Sequence, residues 1–230
     1  MTTSTLDRPE AVARRPRDHR WIALAVIGVA QLMIILDASI VTIALPQAAK
    51  ALHISDADRQ WVQTAYTLAF GGLLLLGGRI ADYVGRKRVF LVGLLGFAGA
   101  SALGGAAQTA WQLFGARALQ GAFAALLAPA VLSLITTTFT EAAERAKAFA
   151  VYGAISGTGA AIGLIAGGAL TEYASWRWTL LVNTPIAILV ALAAVPLLRE
   201  SRAEGDRRYD LPGALIATAC IRSGRLMDLY

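Results

Sequence analysis

The chain alternates between long apolar runs and short polar connections. Six runs of apolar and small residues lie between Trp21 and Leu198, and most charged residues lie outside them. The hydrocarbon core of a bilayer is about 30 Å thick, and roughly 20 apolar residues of α-helix cross it. The pattern therefore predicts six membrane-spanning helices, over residues 21–45, 61–81, 89–108, 113–136, 148–171 and 178–198.

Composition agrees with an all-α polytopic membrane protein. Hydrophobic residues make up 57% of the chain, and charged residues make up 16%, whereas a soluble domain carries about 25% charged residues. We divide the chain into a basic tail (1–20), a six-helix bundle (21–198) and a linker with an aborted seventh helix (199–230). We expect the first, second, fourth and fifth helices to form the packed interior face of the bundle.

The distribution of basic residues predicts the orientation of the helices. Fifteen of the 21 Lys and Arg residues fall in the N-terminal tail, the second and fourth loops and the segment 199–210, whereas only Lys50, Arg59 and Arg177 fall on the other side. Cytoplasmic loops are enriched in Lys and Arg. We therefore expect a multi-pass protein of the plasma (inner) membrane with both termini in the cytoplasm. Because the basic tail adjoins a span, we predict no nucleic-acid partner.

The sequence offers little for catalysis. Cys220 is the single cysteine, and the two histidines, His19 and His53, have no partner at metal-ligand spacing. A phosphate-binding Gly-rich loop and a nucleophile elbow are also absent from the sequence. We therefore expect neither an enzyme nor an ATP-driven pump, and we expect no metal and no cofactor.

Two ionisable residues, Asp37 and Arg117, lie inside predicted spans. A charge in the hydrocarbon region costs several kcal/mol unless it is paired or hydrated. One interpretation is a proton or substrate site in which Asp37 gains and loses a proton while Arg117 adjusts its environment. The other interpretation is a permanent ion pair that holds the first and fourth helices together.

Polar and small residues within the spans add two further predictions. Gln31, Gln63 and Gln120 are candidates to line a substrate path, although interhelical hydrogen bonding explains such glutamines equally well. The fifth helix carries two glycine stripes, at which a neighbouring helix can approach closely. The stripes comprise Gly153, Gly157 and Ala161, and Gly159, Gly163 and Gly167, with Gly168 beside them.

The connection between the second and third spans reads Gly78-Arg79-Ile80-Ala81-Asp82-Tyr83-Val84-Gly85-Arg86-Lys87-Arg88. Its glycines permit a tight turn, and Asp82 can pair with a nearby cation. The segment resembles the signature loop of the major facilitator superfamily. The resemblance implies a cytoplasmic conformational latch in which Asp82 and Arg86 pair, with Gly78, Gly85 and Lys87 as further members.

Three other segments narrow the resemblance to the fourteen-helix drug:proton antiporters. They are Leu36 to Pro46 in the first helix, Arg117-Ala118-Leu119-Gln120-Gly121 in the fourth, and Ser175-Trp176-Arg177-Trp178 with Asn183-Thr184-Pro185 before the sixth. The resemblance implies efflux of small lipophilic or cationic compounds, energised by the proton gradient, with Asp37 and Arg117 in proton coupling. Gly163 to Gly168 is similar to the antiporter motif, with Leu164 at the position of its proline.

The resemblance also implies two six-helix halves, of which this chain contains one. Residues 209–220 resemble the start of a seventh helix, but Arg222, Arg225 and Asp228 interrupt the apolar run. We therefore expect a truncated form whose partner is the missing C-terminal half or a second copy in a homodimer. The alternative functions are an uptake carrier for a small solute and a membrane fragment that transports nothing.

Overall fold

A computed structural model describes residues 17–202 as a bundle of helices. The helices are α1 (Arg17–Ala51), α2 (Trp61–Val84), α3 (Arg86–Gly105), α4 (Ala110–Thr138), α5 (Ala142–Tyr173), α6 (Trp178–Leu181) and α7 (Asn183–Leu197). Within this part of the chain, six helical segments are long and apolar enough to cross a membrane, and α6 and α7 together form the sixth. The predicted all-α architecture with six spans is confirmed.

Several helix ends differ from the predicted span ends. The first span was predicted to end at residue 45, but α1 continues through Pro46 to Ala51. The helix is longer than the predicted span because a helix need not stop where the hydrocarbon stops, and a proline inside a membrane helix is tolerated. The predicted sixth span is also interrupted by a turn at Val182, between α6 and α7.

The helices pack in two main groups. α4 lies against both α2 and α3, while α5 lies along α1. Phe90, Leu94 and Phe97 of α3 are fully buried in the core, whereas α2 and α5 are the least buried spans. α3 packs against α4 and the sixth span. The expected interior face of the first, second, fourth and fifth helices, which a second bundle would cover, stays a prediction.

Glycines set the closest helix crossings. A Cβ atom added to Gly121 of α4 would lie 2.2 Å from the backbone oxygen of Tyr66 in α2. A Cβ atom on Gly163 of α5 would lie 2.7 Å from Cβ of Ser39 in α1. Both pairs of helices therefore meet backbone against backbone, at a separation that only glycine allows.

The two glycine stripes of α5 have different surroundings. Gly159, Gly163 and Gly167 face α1. Around Gly153, Gly157 and Gly168, a Cβ atom would meet nothing within 4 Å in the described part of the bundle. Close helix packing at that first stripe stays a prediction.

The segments assigned to the cytoplasm meet in pairs. Arg20 at the start of α1 binds Glu144 at the start of α5, with 2.7 Å between Nη1 and Oε2. Glu200, which follows α7, lies against the connection between α2 and α3. These pairs agree with the predicted topology, although the side of the membrane stays a prediction. Most of the basic tail and the aborted seventh helix lie outside the described residues.

A buried polar cluster and the candidate transport site

Five polar side chains form one buried cluster at the centre of the bundle. They are Asp37 from α1, Ser101 from α3, Arg117 and Gln120 from α4, and Asn183 from the start of α7. Each is at most 1% exposed. The helices α1, α3, α4 and α7 are apolar around these residues, so the cluster forms a polar centre within an otherwise hydrophobic core.

An ion pair between Asp37 and Arg117 is the central contact. Arg117 Nη1 lies 2.6 Å from Asp37 Oδ2. The guanidinium also donates from Nε to the backbone oxygen of Val62 at 3.1 Å and from Nη1 to Gln120 Oε1 at 2.8 Å. The ring centre of Tyr66 lies 4.5 Å from Arg117 Cζ. Arg117 thereby connects α4 to both α1 and α2.

The second carboxylate oxygen of Asp37 accepts two amide donors. Gln120 Nε2 donates to Oδ1 at 2.9 Å, and Asn183 Nδ2 donates to the same oxygen at 2.8 Å. Ser101 Oγ in turn accepts from Gln120 Nε2 at 2.7 Å. Neither Asp37 nor Arg117 leaves a buried polar atom unpaired within residues 17–202, so the arrangement satisfies a buried charge pair as its burial requires.

The burial of Asp37 limits what this conformation can do. Its side chain is 0% exposed, so neither aqueous solution reaches the carboxylate. A proton or a cationic substrate can contact Asp37 only after the surrounding helices move. This geometry is what a gated site would have in its closed state. A permanent ion pair that only holds α1 and α4 together would have the same geometry.

The three candidate glutamines occupy different environments. Gln120 belongs to the cluster. Gln63 is exposed, and its Nε2 donates to Thr42 Oγ1 at 3.0 Å, which joins α2 to α1. Gln31 is buried, and within the described residues its Oε1 has no hydrogen-bond partner. The three side chains do not form one continuous row, and their role in a substrate path stays a prediction.

The candidate latch lies at the connection between α2 and α3. Asp82 and Arg86 form an ion pair with 3.1 Å between Oδ1 and Nη2. Gly85 has a φ angle of +121°, which L-residues with a side chain rarely adopt. Lys87 Nζ donates to the backbone oxygen of Val195 at 2.6 Å, and a Cβ atom on Gly78 would make ordinary contact with Pro129 at 3.6 Å.

The carboxylate of Glu200, which the sequence analysis did not single out, binds the backbone at the connection between α2 and α3. Glu200 accepts hydrogen bonds from the backbone N–H groups of Lys87 and Arg88, both at 3.2 Å. The backbone N–H of Arg86 donates to Ser201 O at 3.0 Å. A carboxylate at the N-terminus of α3 is favourable because the unpaired N–H groups there carry positive partial charge. Only the return of the chain after α7 brings Glu200 to this position, so spacing along the sequence does not reveal it.

Within residues 17–202, no cluster of three or more His, Cys, Asp or Glu side chains is arranged to hold a metal ion.

Comparison with known families identifies the class of protein. The family model of the Major Facilitator Superfamily matches residues 27–227. Because the match covers most of the chain, the chain belongs to the Major Facilitator Superfamily, as the sequence motifs predicted. The chain is therefore a multi-pass membrane protein of a transporter family.

Several curated relatives are antibiotic exporters or resistance proteins by name. The chain is 59% identical to puromycin resistance protein pur8 of Streptomyces alboniger over 206 residues, which cover 90% of the chain and 41% of the relative. It is 45% identical to cephamycin export protein CmcT of Amycolatopsis lactamdurans, with coverage of 86% and 41%. It is 38% identical to multidrug efflux pump LfrA of Mycolicibacterium smegmatis, with coverage of 85% and 39%.

Solved structures show the same fold. A bacterial homolog of the human lysosomal transporter Spinster, in an inward-facing and occupied conformation, superposes with a TM-score of 0.72 at 18% identity. The superposition covers 86% of this chain and 48% of the solved one. The chain spans about two fifths of the length of the curated relatives above, and its six helices correspond to half of a major facilitator fold.

Proposed function

We propose that a carrier built from this bundle exports small lipophilic or cationic compounds in exchange for protons. The observation that carries the proposal is the ion pair of Asp37 and Arg117, buried to 0% and 1% exposure within the predicted spans. Ionisable residues inside membrane spans are costly and mark ion or substrate pathways. The names of the exporters related to this chain support the direction of transport.

The chemistry of the cluster favours a proton as the coupling ion. A proton needs a single carboxylate lone pair, whereas a metal cation needs several oxygen ligands without a competing positive charge. Arg117 Nη1 already lies 2.6 Å from Asp37 Oδ2 and would repel a cation at that oxygen. Protonation instead neutralises Asp37 and weakens the attraction that holds Arg117 in place.

Coupling follows if the two charge states of Asp37 favour two arrangements of the helices. The ionised carboxylate stabilises the closed cluster of α1, α4 and α7. A protonated carboxyl group loses the Coulomb attraction to Arg117, so an open arrangement becomes less costly. A ligand or proton shifts such an equilibrium only by its differential affinity for the two states, and Asp37 supplies that difference here.

The latch gives the same cycle a cytoplasmic contact that breaks and re-forms. Asp82 lies in the last turn of α2 and Arg86 begins α3, and their ion pair spans the connection. The Asp82 side chain is 41% exposed, so water screens the pair and lowers the cost of separating it. A contact of this kind is suited to repeated opening rather than to permanent support.

The proposed carrier contains a second six-helix bundle that packs against this one. The faces of α2 and α5 are the least covered in the described bundle, and Gly157 on α5 meets nothing within 4 Å. A substrate cavity at the midplane of such carriers forms between two bundles. We expect the 230-residue chain alone to insert without transporting, while a homodimer that transports would contradict this expectation.

A fusion experiment tests the proposed function. The bundle is joined to the C-terminal half of the Streptomyces alboniger relative, and export of puromycin and of a fluorescent lipophilic cation is measured in cells. We expect export that an uncoupler abolishes and that Asp37→Asn abolishes without loss of the protein from the membrane. Export by the Asp37→Asn fusion at the unsubstituted rate would reduce the Asp37–Arg117 pair to a structural contact.

A further inference from the structure

We propose that Asn183 is a positioning residue that links the charge of Asp37 to the sixth span. This inference rests on the proposed function, because it concerns the same carboxylate. Asn183 is 1% exposed, and its Nδ2 lies 2.8 Å from Asp37 Oδ1 and 3.5 Å from Ser101 Oγ. The side chain therefore connects the first residue of α7 directly to the ionisable group on α1.

The hydrogen bonds divide the two oxygens of Asp37 between different partners. Oδ1 accepts the amides of Gln120 and Asn183, which fill its two lone-pair positions. Oδ2 accepts Arg117 Nη1 and retains one lone-pair position. An incoming proton therefore binds at Oδ2, beside the guanidinium, while the amides keep the carboxyl group oriented.

The position of Asn183 is fixed by contacts that its neighbours in sequence make with α3 and with the residues just after α3. Before it, Arg177 Nη1 donates to the backbone oxygens of Gly105 at 2.9 Å and Ala107 at 2.5 Å. After it, Thr184 Oγ1 donates to the backbone oxygen of Ala98 at 3.2 Å. Since α6 and the start of α7 are held at these points, the Asn183 amide meets Asp37 at a defined distance.

Charged and titratable groups around Asp37 come from α2 and α4 within the described residues. Arg117 of α4 is the paired cation, and the phenol of Tyr66 from α2 lies over that guanidinium. Ser101 of α3 and Asn183 of α7 are uncharged, and α5 faces α1 with glycines. The Asn183 amide is therefore the contact through which α7 senses the ionisation of Asp37.

The amide interacts differently with the two forms of Asp37. A hydrogen bond to an ionised acceptor is roughly twice as strong as one between neutral groups. Protonation of Asp37 consequently weakens the bond from Asn183 and loosens the attachment of α7 to α1.

Infrared titration of the 230-residue chain in lipid nanodiscs tests this role. The C=O band of protonated Asp37 is identified by its loss in Asp37→Asn, and its pH dependence is compared with that of Asn183→Leu. We expect the pH dependence of this band to differ between the unsubstituted chain and Asn183→Leu, because the amide binds the ionised carboxylate more strongly than the protonated one. The matched control, Thr158→Val, removes an exposed hydrogen bond within α5, from Thr158 Oγ1 to the backbone oxygen of Ala154, and should leave the titration unchanged.

A second variant keeps the test decisive if Asn183→Leu fails to fold. Asn183→Asp preserves the shape and places a second carboxyl group beside Asp37, so the pair should titrate in two separated steps. An unshifted titration in Asn183→Leu would overturn this inference and leave the proposed function intact. A single titration step in Asn183→Asp, as expected for two independent carboxyl groups, would do the same. A protonated Asp37 band that never appears in any variant would contradict proton coupling, and with it this inference.

Discussion

At the scale of single residues, the protein places one full ion pair in a region where ions are costly. Asp37 and Arg117 are each hydrogen-bonded to additional polar groups, so neither charge relies on the ion pair alone. Removal of one partner from a buried pair leaves an uncompensated charge, and the loss exceeds that from removing both partners.

This asymmetry gives a prediction for Arg117. We expect Arg117→Ala to lose about 3–5 kcal/mol of stability because Asp37 remains buried without its cation. The double variant Asp37→Asn/Arg117→Ala should recover a large part of that loss, since no charge remains in the cluster. Thermal unfolding of the purified variants in detergent measures both effects, and a double variant less stable than Arg117→Ala would contradict the account.

Part of this cluster could be predicted from the sequence. Asp37 and Arg117 were recognisable because an ionisable residue within a span needs a partner. Ser101 and Asn183 were not assigned to the site, since small polar residues are common in membrane helices and usually bond within their own helix or to a neighbour. Their role depends on the packing of α3 and α7 against α1, which local sequence does not encode.

At the scale of helices, close approach at glycines holds the site in register. α4 carries Arg117 and Gln120 on one face and meets α2 at Gly121. The same approach brings the backbone oxygen of Val62 within 3.1 Å of Arg117 Nε. A wider separation of α2 and α4 would therefore remove a hydrogen bond from the buried guanidinium.

Two glycines of α4 form a matched pair for testing this crossing. We expect Gly121→Ala to lower stability by about 1–3 kcal/mol, because the new Cβ atom collides with the backbone of α2 and cannot turn aside. The Cβ atom added by Gly115→Ala would have no neighbour within 4 Å in the described part of the bundle, so this variant should be neutral or slightly stabilising. Thermal unfolding of the two variants decides the matter, and equal stability would argue against a close α2–α4 crossing.

The helices themselves were more predictable than their ends. Hydropathy identified all six spans because a bilayer core requires a minimum apolar length. It could not identify the continuation of α1 past Pro46 to Ala51, since water tolerates further helical turns. The docking of Glu200 on the start of α3 was equally hidden, because it joins residues more than 100 positions apart.

At the scale of the whole molecule, the orientation in the membrane is open to direct measurement. We expect Ser55→Cys to react with an impermeant thiol reagent from outside the cell, and Glu141→Cys to react only after permeabilisation. Both sites are exposed, and the background is Cys220→Ser so that the native thiol does not contribute. The reverse labelling pattern would overturn the topology predicted from the basic residues.

The described bundle corresponds to half of a major facilitator fold. The six helices contain the ion pair, the latch and the glycine crossings. Under the proposed function, a second bundle covers the exposed faces of α2 and α5 and encloses a cavity with them, and its side chains would contribute to specificity. Asp37 is therefore the feature of this chain on which the proposed coupling depends most directly.

Transport in proteoliposomes under an imposed proton gradient tests that dependence most directly. The fusion carrier is reconstituted with Asp37 or with Asp37→Asn, and movement of the fluorescent lipophilic cation is followed in both. The account predicts transport that rises with the gradient in the first preparation and falls to the level of empty liposomes in the second. Gradient-driven transport of equal rate in both preparations would contradict proton coupling through Asp37.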